Sequence, residues 1–155
     1  MIVHIASRLM DRILDDAARN RAEICGLLLG GAGRIDAITP AANVAPDPVR
    51  HFELDPAMLI AAHRAARAGG PGVMGHYHSH PSGDPVPSAI DAACAAPDGS
   101  LWLIIGRGPE RLWGARLWVA GPGEDGGVVF TEARLIVGSG DGDATGLASP
   151  GGAAH

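Results

Sequence analysis

The sequence predicts an α/β or α+β domain, one largely buried sheet packed with three helices. Three observations carry that expectation. A continuous apolar run of strand length around residues 25–29 reads as a strand covered on both faces, and LWLIIG reads as a further strand. Segments with apolar residues at helical spacing interrupt them. A length of 155 residues suits a single core.

Each element follows from local chemistry. Residues 2–5 (IVHI) form a short strand, and Ser7 is placed to cap a helix reaching about Asn20, with Leu9, Met10, Ile13, Leu14, Ala17 and Ala18 at helical spacing. EICGLLLGG is a strand bounded by glycines, and RIDAIT pairs with it as a hairpin through Gly30, Gly31 and Gly33. AANVAPDPV is a loop by its prolines, followed by a brief strand, HFEL. Asp55 caps a second helix with Pro56 at its first position, and Gly69-Gly70-Pro71 stops it. GVMGHYHSH is a strand, SGDPVP a loop and AIDAACAA a short third helix. LWLIIG, LWGARLWVAG and VVFTEARLIV complete the sheet. The ordered domain is expected over 1–137, and the glycine-rich residues 138–155 read as a disordered tail.

Composition removes several function classes. All 12 basic residues are arginine, so lysine-nucleophile and Schiff-base chemistry is excluded. The net charge of −5 and the lack of a basic cluster argue against nucleic acid as partner. No apolar run is long enough for a membrane span. Cys25 and Cys94 form no CxxC pair and read as packing residues in a reducing compartment, so a cytoplasmic address is expected.

The chemistry concentrates in HYHSHPSGDPVPSAID, residues 76–91. On a strand, His76, His78 and His80 share one face, and Pro81 ends the strand. Ser88-x-x-Asp91 at a helix start reads, taken alone, as helix capping. Together, His78, His80 and Asp91 supply two imidazoles and a carboxylate within 14 positions. That set leaves one place open on a tetrahedral metal, as in catalytic zinc sites. For an accompanying general base, both Glu23 and Glu53 remain open on the residues alone.

His-Ser-His-Pro-x6-Ser-x-x-Asp, with the upstream Glu23-Ile24-Cys25-Gly26-Leu27-Leu28, resembles the JAMM (MPN-plus) zinc metallopeptidases of compact bacterial type. The resemblance spans residues 1 to about 137. It implies the α/β form, a cytidine-deaminase-like fold with a curved, mixed β-sheet flanked by three helices, and one Zn2+ held by His78, His80 and Asp91, with water in the fourth place. It implies Glu23 as general base and Ser88 as hydrogen-bond donor to the scissile carbonyl. It also implies hydrolysis of an amide bond after the C-terminal Gly-Gly of a ubiquitin-like or sulfur-carrier protein. The chain lacks the Pro-Cys-x-x-Cys element that a zinc deaminase needs. A non-catalytic, zinc-stabilised module that binds ubiquitin-like proteins is the alternative.

Asn43 and Arg50 sit in the loop before HFEL and His51 opens HFEL itself; all three are candidates for substrate contact. His76, one strand step before the ligands, is a candidate for supporting them. Tyr77 and Ser79 face the other way, as core or hydrogen-bonding partners. Trp102 and Trp113 are expected in the core, with Trp118 partly exposed beside Arg116.

Overall fold

The computed structural model describes residues 1–108, 110 and 112–138. The elements are β1 (Ile2–Ala6), α1 (Ser7–Arg19), β2 (Cys25–Gly31), β3 (Arg34–Ala41), α2 (Pro56–Arg67), β4 (Gly72–Ser79), α3 (Ala89–Cys94), β5 (Leu101–Arg107), β6 (Trp113–Pro122) and β7 (Val128–Gly138). Of the expected disordered tail, 138–155, Gly138 is the last residue of β7 and residues 139–155 lie outside the described residues.

The mixed α/β architecture is as expected, but the sheet closes on itself. Its strands run β1-β3-β2-β4-β5-β6-β7, and β1 then pairs in parallel with β7, Ile2 opposite Arg134 through Ala6 opposite Gly138. The expectation was a curved sheet. Closure arises because β1 serves two neighbours: it also pairs in parallel with β3 at His4 and Ile5. A closed ring removes both exposed edges.

The β2–β3 hairpin turns as the glycines require, with Gly33 at φ 76° and Ala32 at φ 53°. β2 also pairs antiparallel with β4, setting Cys25 opposite His78 and Leu27 opposite His76. β4 pairs in parallel with β5, setting His76 opposite Trp102 and His78 opposite Ile104.

Two faces follow from that register. One carries Leu28, Tyr77, Leu103, Ile105 and Leu117, all buried in one cluster with Leu9, Met10, Ile13 and Ala17 of α1. Each fully buried Leu or Ile there contributes about 1.5–3 kcal/mol. The opposite face carries Cys25, Leu27, His78, Trp102 and Ile104, and these are buried too. That is why β2 and β5 read as unbroken apolar runs. Trp102 is buried as expected, Trp113 packs at the core's edge, and Trp118 is half-buried beneath Arg116.

Three local expectations need comment. Ser7 does not cap α1; Ala6 holds the cap position without a side-chain hydrogen bond, because the helix starts one residue earlier than the serine rule suggests. HFEL is a loop touching β-structure only through a bridge between Asn43 and Leu54. Asp55 does cap α2, its Oδ1 accepting from Ala57 N at 3.0 Å ahead of Pro56.

Candidate metal centre

The site forms where β4 ends. Alternation turns Tyr77 and Ser79 to the α1 side and His76 and His78 to the other. His80 lies just past the strand, yet its N–H still donates to Ile105 O at 2.7 Å. Its ring Nδ1 meets Asp84 O at 2.9 Å; a carbonyl only accepts, so Nδ1 carries a proton and Nε2 is the nitrogen turned toward Asp91. Ser79 Oγ accepts from Ile24 N at 2.9 Å while Ser79 N donates to Ile24 O at 3.1 Å. This reciprocal pair fixes the residue next to Glu23 against β4.

Asp91 arrives from α3. Ser88 is the N-cap: its Oγ accepts from Asp91 N at 3.0 Å, and its own N–H donates to Asp91 Oδ2 at 2.9 Å. The capping box therefore aims the carboxylate. Its Oδ2 lies 3.3 Å from His78 Nε2 and 3.1 Å from His80 Nε2, and the two Nε2 atoms are 3.2 Å apart. Three donor atoms thus form a nearly equilateral triangle. Ligand bonds of roughly 2.0–2.1 Å give a tetrahedral edge of roughly 3.3 Å, so the triangle fits one face of such a site. One carboxylate oxygen and two imidazole nitrogens form a donor set suited to a divalent transition metal, which would take the place of the protons on the two Nε2 atoms. Glu23 offers a carboxylate oxygen within 4.8 Å of both imidazoles.

Electrostatics separates the two acids. Burial pushes the Glu23 carboxyl up to about 7; His80 opposes this and Asp91 adds to it. Burial pushes Asp91 the same way, but hydrogen bonds from His78 and His80 outweigh it and hold the carboxyl well below the usual range. Asp91 is the charged acid and Glu23 the one able to carry a proton near neutrality. Burial lowers His78. His80 is also opposed by burial but ends raised, through its bonds to Asp91 and Asp84.

A cleft of about 370 Å³ opens onto this cluster, lined by Glu23, His80, Ser88, Val49, Arg50 and Ile90 among others. Ser88 is exposed there, and with its oxygen occupied by Asp91 N–H its hydroxyl proton remains free to donate.

The expected residues divide. His78, His80, Asp91, Glu23 and Ser88 come together. Arg50 lines the cleft, its side chain 81% exposed and 3.6 Å from Asp47. Asn43 instead spends its amide on backbone groups of the loop and of Glu23. His51 does not line the cleft, and its Nδ1 is buried without a hydrogen-bond partner among the described residues. His76 makes ring contacts, 4.3 Å from Trp102 and 5.4 Å from His78 between centroids, and burial pushes it down to about 3.

Sequence reasoning missed Phe52, which lies flat on His78. The only available signal was an aromatic residue inside a proline-rich loop of a chain with 4% aromatics. It also missed Val49 and Ile90, apolar residues about half exposed at the cleft.

With this geometry described, comparison with known proteins is direct. A desampylase from Haloferax volcanii is 38% identical over 121 residues, covering 74% of this chain and 86% of that protein. A probable TtuB-protein conjugate cleaving protease from Thermus thermophilus is 34% identical over 64 residues, 41% of this chain and 43% of that protein. The solution structure of a Desulfitobacterium hafniense protein superposes with a TM-score of 0.72 at 28% identity, covering 88% of this chain and 92% of that one. The family model for prokaryotic homologs of the JAB domain matches residues 6–120, the span that contains every site residue described above. The chain belongs to the family of prokaryotic JAB-domain homologs, the compact JAMM-type proteins.

Proposed function

We propose that this protein is a zinc-dependent isopeptidase that hydrolyses the amide bond after the C-terminal Gly-Gly of a ubiquitin-like, sulfur-carrier-type protein. The observation that carries the reading is the donor triangle of His78, His80 and Asp91, with edges of 3.1–3.3 Å, beside a glutamate poised near neutrality. The names of the Haloferax and Thermus relatives support protein conjugates as substrates. Two free cysteines agree with a reducing, cytoplasmic setting. Among the described residues no helix is long and apolar enough to cross a membrane. A kinship of architecture with cytidine deaminases belongs to the same reading, since in both a metal is expected where a strand meets a helix N-terminus.

His78, His80 and Asp91 would hold the metal. When bound, it supplies Lewis acidity, polarising a carbonyl and making water more acidic. The protein's own residues do the rest. Glu23 takes the proton of the attacking water and delivers it to the leaving amine, a role its raised pKa suits. Ser88 donates its hydroxyl proton to the carbonyl oxygen as negative charge builds there. The cleft would take an extended tail, and glycines in that tail, lacking side chains, would let its backbone approach Glu23 and Ser88, which line the cleft.

The test joins metal analysis to cleavage of a panel of Gly-Gly-terminated ubiquitin-like fusions. Cleavage after Gly-Gly that a chelator abolishes and zinc restores is expected. A fully loaded protein that cleaves none of the panel refutes the reading and leaves the binding-module alternative.

A further inference from the structure

His78 and His80 are held in different ways. His80 has the usual outer partner for a ligating imidazole, the carbonyl of Asp84 on its second nitrogen. His78 has none: its Nδ1 is buried and finds no hydrogen-bond partner among the described residues. Something else must keep that ring from turning. The candidates are aromatic. Phe52 stacks on His78 with centroids 4.2 Å apart and planes 18° from parallel, while Trp102 stands edge-on at 5.8 Å. Trp102 is carried by strand β5, but Phe52 sits on an irregular loop whose shape must itself be secured.

Asn43 secures it. Its Nδ2 donates to Glu23 O at 2.9 Å, His51 O at 3.1 Å and Pro48 O at 3.2 Å. Its Oδ1 accepts from Ala45 N at 3.0 Å and Glu53 N at 3.1 Å. The residues immediately before and after Phe52 are thus tied, through one amide, to the backbone of Glu23. No other residue type of this size offers both donors and acceptor at once.

We propose that Phe52 is the positioning residue for His78, replacing by stacking the hydrogen bond that its Nδ1 lacks, and that Asn43 sets Phe52 and Glu23 in a common register. This rests on the reading of His78 as a metal ligand. It predicts that Phe52 acts on metal binding itself, not only on turnover.

The test measures Co2+ affinity by chelator competition and the visible Co2+ spectrum, in the full chain. Phe52→Leu keeps apolar bulk but loses the flat stack; a roughly 10-fold or greater loss of affinity and a changed spectrum are expected, within the range for outer partners of ligating histidines. Phe52→Tyr keeps the ring and is expected to behave as wild type. Asn43→Asp keeps the acceptor and removes the donors; it should weaken metal binding as well. Because the two residues act through one loop, the Asn43→Asp/Phe52→Leu double variant should fall short of the sum of the single losses. Circular dichroism and thermal melts confirm that each variant is folded. A folded Phe52→Leu protein with unchanged affinity and spectrum overturns the proposal, as do equal losses for the Leu and Tyr variants or full additivity. Wild-type protein that binds no Co2+ refutes the ligand reading, and this inference with it.

Discussion

Glu23→Gln separates chemistry from stability and gives each its own readout. In the metal-free protein, burial raises the Glu23 carboxyl from its ordinary value of 4.5 to about 7. The folded state therefore holds this proton more tightly than the unfolded chain. Its stabilising contribution is complete below about pH 4.5 and is lost as pH rises through about 7. The difference between the two values corresponds to about 3 kcal/mol, a ceiling because the carboxylate borders an open cleft. Glutamine is neutral at every pH and carries no such loss. The Tm advantage of chelator-treated Glu23→Gln over wild type should thus be smaller at pH 5, where the loss has only begun, and grow by several degrees by pH 8.5. The loaded variant should keep its metal and lose roughly 10²–10⁴-fold in turnover, as expected when a general base is removed. Melts at the two pH values, metal analysis and the fusion-cleavage assay check all three. If the two proteins' Tm values run parallel with pH, or the variant turns over within tenfold of wild type, the reasoning about Glu23 is wrong.

Other perturbations reach neighbouring parts of the machinery. Ser88→Ala should lower kcat by roughly 10²–10³ with little change in KM, and loss of the α3 cap should cost about 1 kcal/mol in a thermal melt; an unchanged kcat removes Ser88 from the chemistry. Asp91→Ala removes one corner of the triangle, so metal analysis should find the variant nearly empty under conditions that saturate wild type. Gly26→Ala drives a Cβ into the ring of Tyr77, which is buried between β4 and α1. Overpacking there should cost about 1–3 kcal/mol, and an unchanged Tm would show that the β2–β4 pairing yields more easily than its geometry implies.

The ligand cluster was legible because its parts lie within one short stretch, where backbone periodicity dictates direction. Strand alternation sets His76 and His78 on one face opposite Tyr77 and Ser79, and a helix start presents Ser88 and Asp91 together. α2 was equally legible, with Asp55 and Pro56 acting at its first turn. Asn43 was not. Its place in the loop before HFEL suggests substrate contact; its five hydrogen bonds reach residues from 20 positions upstream to 10 downstream. Such partners depend on the path of the loop, which no local pattern encodes. Ser7 shows the opposite error, a capping residue that the helix begins too early to use.

By itself the sequence determined the helices, the strands other than HFEL and the close spacing of His78, His80, Ser88 and Asp91, since these follow from neighbours a few positions apart. Tertiary structure alone decided that the sheet closes through β1 and β7 and that Phe52 lies on His78; it also brings to the imidazoles the Glu23 that the family resemblance, and not the residues themselves, prefers to Glu53. The reason is distance along the chain. Residues 23, 43, 52 and 78 meet only after β2 has paired with β4 and the intervening loop has folded back, and burial by that packing is what raises the pKa of Glu23.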